Sequence, residues 1–277
     1  MRVIERDGGI EITDLPDFDP ERTFECGQCF RWNAGEGGVY TGVALGRALQ
    51  VRRAGDSVYM SCALRDFNDI WRDYFDLDRD YAAIREKLAI NEHMRAASAF
   101  GEGIRILHQD KWEALCSFII SQCNNIPRIK KIVEALCRAF GEPFAFEGAT
   151  CYTFPPAERV APLSEKDLAP LRCGYRAAYM IEAARRVASG EVDLDALASG
   201  EPSTALAALK RINGVGDKVA SCAVLFGLHM LDSFPIDTWM KKAIREQYGD
   251  GFDPQIFSPY AGIAQQYIFY YARSGRK

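Results

Sequence analysis

The chain has 277 residues, 48% hydrophobic and 26% charged, with a formal net charge of −4, an ordinary soluble composition with enough length for one large domain or two to three small ones. No run of about 18 apolar residues occurs and Met1–Asp7 opens no apolar signal core, so the sequence predicts no membrane span and an intracellular protein, cytoplasmic in a bacterium or nuclear in a eukaryote. Nine cysteines without framework spacing, a lone Cys26-x-x-Cys29 pair and only three histidines predict reduced thiols and no protein metal site.

Residues 1–25 carry eight acidic groups against three arginines, a local net of −5 that leaves the remainder near +1. Where charge sits, not its sum, governs nucleic-acid binding. The first 65 residues suit strands: Val39 to Leu45, Ala48 to Arg53 and Ser57 to Cys62 are short β-branched and aromatic runs, punctuated by Gly46 and by Ala54-Gly55-Asp56. Short connections make them an antiparallel meander. After Asp66, placed as an N-cap, Phe67, Ile70, Trp71 and Phe75 fall on one helical face. Helices are expected at about 78–89, 110–121, 125–140, 174–189, 203–211, 217–228, 237–247 and 260–273, with Asp110, Ser203 and Asp237 at cap positions. Basic residues gather in 104–139, six against three acidic. Gly141-Glu142-Pro143 and Phe154-Pro155-Pro156 mark loops. The fold class is α+β, an antiparallel sheet domain followed by a large helical part.

The segment Leu209 to Ala220 concentrates the chemistry. A helix ends, Gly214-Val215-Gly216 turns, and Asp217-Lys218 opens a second helix. Glycines let the backbone come close to a ligand, and a helix start offers free N–H groups suited to phosphate. The pattern is a helix-hairpin-helix; a plain glycine-rich connection between packed helices explains the same letters. Lys218 sits where the macrodipole opposes a cation. It either reaches solvent or is an amine held partly neutral by dipole and burial, able to attack a sugar C1′ and form a Schiff base. In Phe234-Pro235-Ile236-Asp237, the aspartate is an adequate N-cap. A carboxylate held by helix N–H groups also suits an oxocarbenium-like sugar, and both roles are compatible.

Gly214 to Lys218 and Phe234 to Asp237 resemble the core of the helix-hairpin-helix DNA glycosylases with a Gly/Pro-rich loop and aspartate, and Lys218 resembles the lysine of their bifunctional members. Within that superfamily the chain is most similar to 8-oxoguanine DNA glycosylase/AP lyase. Four further stretches carry the likeness: Cys26 to Trp32, Gln109 to Ile129, Cys173 to Tyr179 and Ser258 to Gln265. The resemblance implies residues 1–103 as a sheet domain with flanking helices, 104–122 plus 207–277 as the catalytic subdomain, and 123–206 as a second helical subdomain. It implies a monomer that excises oxidised guanine from double-stranded DNA and cuts the strand by β-elimination, with no cofactor.

By the same resemblance, Gly27 offers its carbonyl to N7–H of the oxidised base, where guanine has an acceptor instead. Gln265 bonds the Watson–Crick edge, and Phe269 and Cys222 cover the two faces, although core packing is the commoner fate of both residue types. Tyr175 is the wedge. Arg128 and Arg176 recognise the orphaned cytosine, beside Cys123 and Asn124; a surface ion pair or phosphate contact is the plainer role for either arginine. Gly214, Val215, Gly216 and Trp239 meet the DNA backbone. Cys123 replaces a common asparagine and Trp239 a common histidine, so the opposite-base preference and that phosphate contact depart from the family pattern. A different glycosylase specificity and a non-catalytic DNA-binding module are the competing readings. No cysteine follows Cys222, which excludes the iron–sulfur cluster of two sister branches.

Overall fold

The structure is a computed structural model and describes residues 1–249 and 251–275. Six strands, β1 (Arg2–Arg6), β2 (Gly9–Thr13), β3 (Trp32–Ala34), β4 (Val39–Ala44), β5 (Arg47–Ala54) and β6 (Ser57–Met60), form one sheet in the order β1-β2-β6-β5-β4-β3. The pairs β1–β2, β2–β6, β5–β6 and β3–β4 are antiparallel. Alternate side chains bury one face: Ile10, Ile12, Leu49, Val51, Val58 and Met60 are almost fully enclosed. The α+β class is as expected from sequence. β1 and β2 extend the predicted meander; they join through Asp7-Gly8, with Gly8 at φ +78°.

The first compact unit comprises Met1–Gly42, Leu49–His108 and the chain from Leu231 onward; the second comprises Gln109–Met230 with the hairpin tip Val43–Ala48. The resemblance implies three subdomains, with boundaries at 103, 122 and 206. In the first unit an aromatic core gathers behind the sheet. Phe24 stacks on Trp32 at 4.0 Å, Trp71 and Phe75 pack against Trp32, and Trp32 Nε1 donates to Tyr74 Oη at 2.9 Å. Phe67, Trp71 and Phe75 are buried as the periodicity requires. Asp66, expected to cap that helix, lies inside it instead: the helix starts at Leu64 with Ala63 as cap, and Asp66 already has helical angles.

The second unit is mainly helical, with Lys111–Ile120, Ile126–Phe140, Arg176–Ala188, Pro202–Leu209 and Asp217–Cys222, the last running into a π segment, Ala223–Gly227. Asp110 caps the first by accepting from Glu113 N at 2.7 Å. Ser203 does not cap. Pro202, preorganised for the first helical position, starts the helix one residue earlier, and Glu201 becomes the cap residue without a side-chain bond. Where a loop was expected after Gly141, β7 (Pro143–Phe146) and β8 (Ala149–Tyr152) pair as a hairpin. Among the described residues no helix is long and apolar enough to cross a membrane.

Candidate functional site

The second unit holds the glycine hairpin and Lys218. Gly214 and Gly216 are glycine for different reasons. Gly214 has φ +83°, and a Cβ there would lie 2.2 Å from the Tyr179 ring; both the angle and the packing demand glycine. Gly216 caps the Asp217–Cys222 helix at φ −87°, an angle open to any residue, and a Cβ would meet nothing within 4 Å. Its missing side chain serves no internal contact, which leaves room for an external ligand beside a helix start whose N-cap adds no side-chain acceptor. Val215 differs from expectation: its side chain is buried and its N–H donates to Ile212 O at 3.0 Å, so neither is left for DNA.

Lys218 occupies the second position of that helix, where a cation costs about 0.3–1 kcal/mol against the macrodipole. Its amine is half-buried and does not run out to solvent. Nζ donates to Ser121 Oγ at 2.8 Å and lies 5.3 Å from the Phe118 ring centroid. Ser121 ends the Lys111–Ile120 helix and donates to Phe118 O at 2.7 Å. Cys222, one turn beyond Lys218, is buried. Ser121 and Phe118 lie in a motif singled out from sequence, but helical spacing cannot reveal that their helix meets Lys218.

The turn after that helix collects the wedge and orphan-base candidates. Cys123 is exposed with φ +46°, and Tyr175 is 50% exposed. Desolvation first, then the adjoining Cys123 side chain, holds the Tyr175 phenol above its ordinary range. Arg176 is 4% exposed, and its guanidinium donates to the Gln122 carbonyl (Nε, 2.7 Å), the Cys173 carbonyl (Nη1, 3.2 Å) and the Cys123 carbonyl (Nη2, 3.1 Å) while stacking over Tyr175. The structure therefore gives Arg176 to the loop that carries Cys123. Asn124 is likewise engaged locally, donating to Ile120 O at 3.1 Å and accepting from Asn125 N. Arg128 is exposed, and its Nη2 donates to Arg172 O at 3.2 Å.

The first unit holds the base-reading candidates and the aspartate. Gly27, at φ +89°, lies in the loop between the Pro20–Glu25 helix and β3. Gln265 sits on the Ala261–Arg273 helix, 4% exposed, and its Oε1 has no hydrogen-bond partner among the described residues. An unsatisfied buried amide oxygen costs about 1–3 kcal/mol, which a ligand donor would recover. Phe269, four residues on, is half-buried with the Arg273 guanidinium 5.7 Å from its ring. Asp237 is the N-cap of the Thr238–Gln247 helix, its Oδ1 accepting from Met240 N at 2.9 Å. Trp239 is 43% exposed and lines a groove of about 480 Å³ with Thr238, Lys241, Lys242 and Arg245. Two buried amides had no role assigned from sequence, Gln28 and Gln266. A glutamine pair in the apolar run Ile263-Ala264-Gln265-Gln266-Tyr267-Ile268 was the available signal, because a buried amide needs a partner.

A family model described as the N-terminal domain of 8-oxoguanine DNA glycosylase matches residues 12–115, and one described as HhH-GPD superfamily base excision DNA repair protein matches 116–254. The N-glycosylase/DNA lyase of Saccharomyces cerevisiae is 33% identical over 187 residues, 63% of this chain; the chain spans half the length of that relative. Among solved structures, MBOgg1 in complex with a low-affinity DNA ligand is 43% identical, with a TM-score of 0.94 over 99% of this chain and 98% of that one. The 8-oxoguanine glycosylase/lyase of Clostridium acetobutylicum, bound to double-stranded DNA with cytosine opposite 8-oxoguanine, is 35% identical with the same TM-score and coverage.

Proposed function

The chain belongs to the HhH-GPD superfamily of base excision DNA repair proteins, and we propose that it is a bifunctional DNA glycosylase/lyase that excises 8-oxoguanine, opposite cytosine, from duplex DNA. The observation that carries this reading is the Lys218 amine, drawn in from solvent onto Ser121 and Phe118 at the start of the helix after the glycine hairpin.

The damaged nucleotide is flipped out, at a cost of a few kcal/mol that the Tyr175 wedge and the pocket contacts offset. The Gly27 carbonyl accepts the N7–H that only the oxidised base carries, and the buried Gln265 Oε1 accepts from the Watson–Crick edge. As the glycosidic bond breaks, the Asp237 carboxylate stabilises the positive charge growing on the sugar, and the bond's electron pair leaves with the base. The Lys218 amine adds to C1′, a proton passes from its nitrogen to O4′, and the ring opens to an iminium. Loss of a C2′ proton to the departed base anion then expels the 3′ phosphate, and water hydrolyses the imine to return the lysine.

Borohydride trapping on a duplex with 8-oxoguanine opposite cytosine tests the reading. The protein should give a covalent adduct that Lys218→Gln abolishes. Asp237→Asn should keep lesion binding and lose about a hundredfold or more in single-turnover excision, the scale of removing one preorganised electrostatic group. No adduct from the unaltered protein would leave a DNA-binding module without catalysis.

A further inference from the structure

We infer that Gln266 determines lesion specificity by fixing the Gly27 carbonyl in register with the helix that presents Gln265. This rests on the base-reading roles proposed above and adds a residue those roles do not include.

Gly27 has no side chain to hold it and a left-handed φ of +89°, so the direction of its carbonyl is set by its neighbours. Those neighbours are clamped on both sides. The carbonyl of Cys26 accepts from Gln266 Nε2 at 2.8 Å, and the carbonyl of Glu25 accepts from Arg273 Nη2 at 2.6 Å. Both donors come from the Ala261–Arg273 helix, which also carries Gln265 and Phe269. On the other side, the Gln28 amide donates to Thr23 O at 3.0 Å and Arg105 O at 2.7 Å and accepts from Leu107 N at 3.0 Å. Gln28 is 0% and Gln266 2% exposed. Water does not compete for the Gln28 and Gln266 bonds, and losing one leaves a buried group unsatisfied.

The consequence is chemical. Discrimination between a base with N7–H and one with a bare N7 depends on one acceptor at the right place, and a hydrogen bond weakens steeply with misdirection. Gln266 lies next in sequence to Gln265, so one turn of helix both bonds the base edge and ties down the loop that offers the opposing carbonyl. Gln266 touches no substrate and is a positioning residue.

Gln266→Glu keeps the shape but puts an acceptor against the Cys26 carbonyl, and Gln266→Met keeps the length with no donor. Each is assayed for single-turnover excision from an 8-oxoguanine:cytosine duplex and for strand cleavage at a preformed abasic site, which needs no base recognition. Excision should fall about tenfold or more relative to cleavage, the worth of one misplaced hydrogen bond. The ratio comes from one preparation, so partial unfolding cancels. An unchanged ratio, or a parallel fall in both activities, would reduce Gln266 to a packing residue and overturn the inference. If the unaltered protein lacks both activities, the functional reading itself fails; if it has both and the ratio does not move, only this inference does.

Discussion

Ser121 has one proton and gives it to the Phe118 carbonyl at 2.7 Å, so toward Lys218 Nζ, at 2.8 Å, it acts as the acceptor. The hydroxyl and the Phe118 ring then fix where the amine waits. Ser121→Ala should lower single-turnover excision about tenfold while DNA affinity is retained, because the hydrogen bond that positions the amine is lost and no DNA contact is. Ser121→Thr keeps the acceptor and should recover most of the rate. A threonine variant as slow as the alanine one would point to helix-end packing instead. Lys218 was legible in the sequence because a cation at a helix start runs against the macrodipole. Its partners were not, since Ser121 lies 97 positions away along the chain. Arg176 shows the opposite limit. A motif-borne arginine suggests base recognition, but no sequence pattern reveals that its guanidinium also donates to the loop around Cys123, whose φ of +46° is unusual for a residue with a side chain.

The hairpin shows what the elements themselves disclose. Both glycines were visible in the sequence, but only packing separates them. Gly214→Ala should destabilise the protein by about 1–3 kcal/mol, through the positive φ and the collision with Tyr179. Gly216→Ser should behave otherwise. Serine is a preferred N-cap, the φ of −87° suits it, and the space is empty, so thermal stability should hold or rise by a few tenths of a kcal/mol. DNA affinity should nevertheless drop, because the new side chain fills the approach to the backbone. A Gly216→Ser protein that binds DNA as well as its parent would remove the hairpin from the interface. The same limits explain the misread caps and strands. Asp110 and Asp237 cap as predicted because their helices start where the apolar period starts. Proline displaced the cap from Ser203. β1 and β2 were signalled by Asp7-Gly8, yet the charged edge strand around Glu5 and Arg6 hid the alternation. In the β7–β8 hairpin, Glu147 and Gly148 both have positive φ, a two-residue turn masked by the loop signal of Gly141 to Pro143.

Across the whole molecule, chain order is a poor guide to grouping. The Ala261–Arg273 helix rejoins the first unit through contacts distant in sequence, with Phe100 stacked on Tyr270 at 5.1 Å and the His93 ring edge-on to Tyr271 at 5.7 Å. Charge follows the same rule of place over order. The net of −4 is concentrated in the acidic first 25 residues, while Lys241, Lys242 and Arg245 are exposed, line the groove beside Trp239 and make no ion pair among the described residues. The slope of log affinity against log salt counts phosphates neutralised, about 0.9 for each in duplex DNA. Lys241→Ala with Lys242→Ala should therefore lower that slope by about 2 and weaken binding equally on damaged and undamaged duplexes. Replacing Glu5 and Asp7 by Gln and Asn should leave the slope where it was, since a carboxylate releases no phosphate counterion, even if affinity rises slightly. Titrations over a range of salt concentrations distinguish the two outcomes. A slope unmoved by loss of both lysines would place the DNA backbone away from the Thr238–Gln247 helix, and with it remove the phosphate role assigned to Trp239.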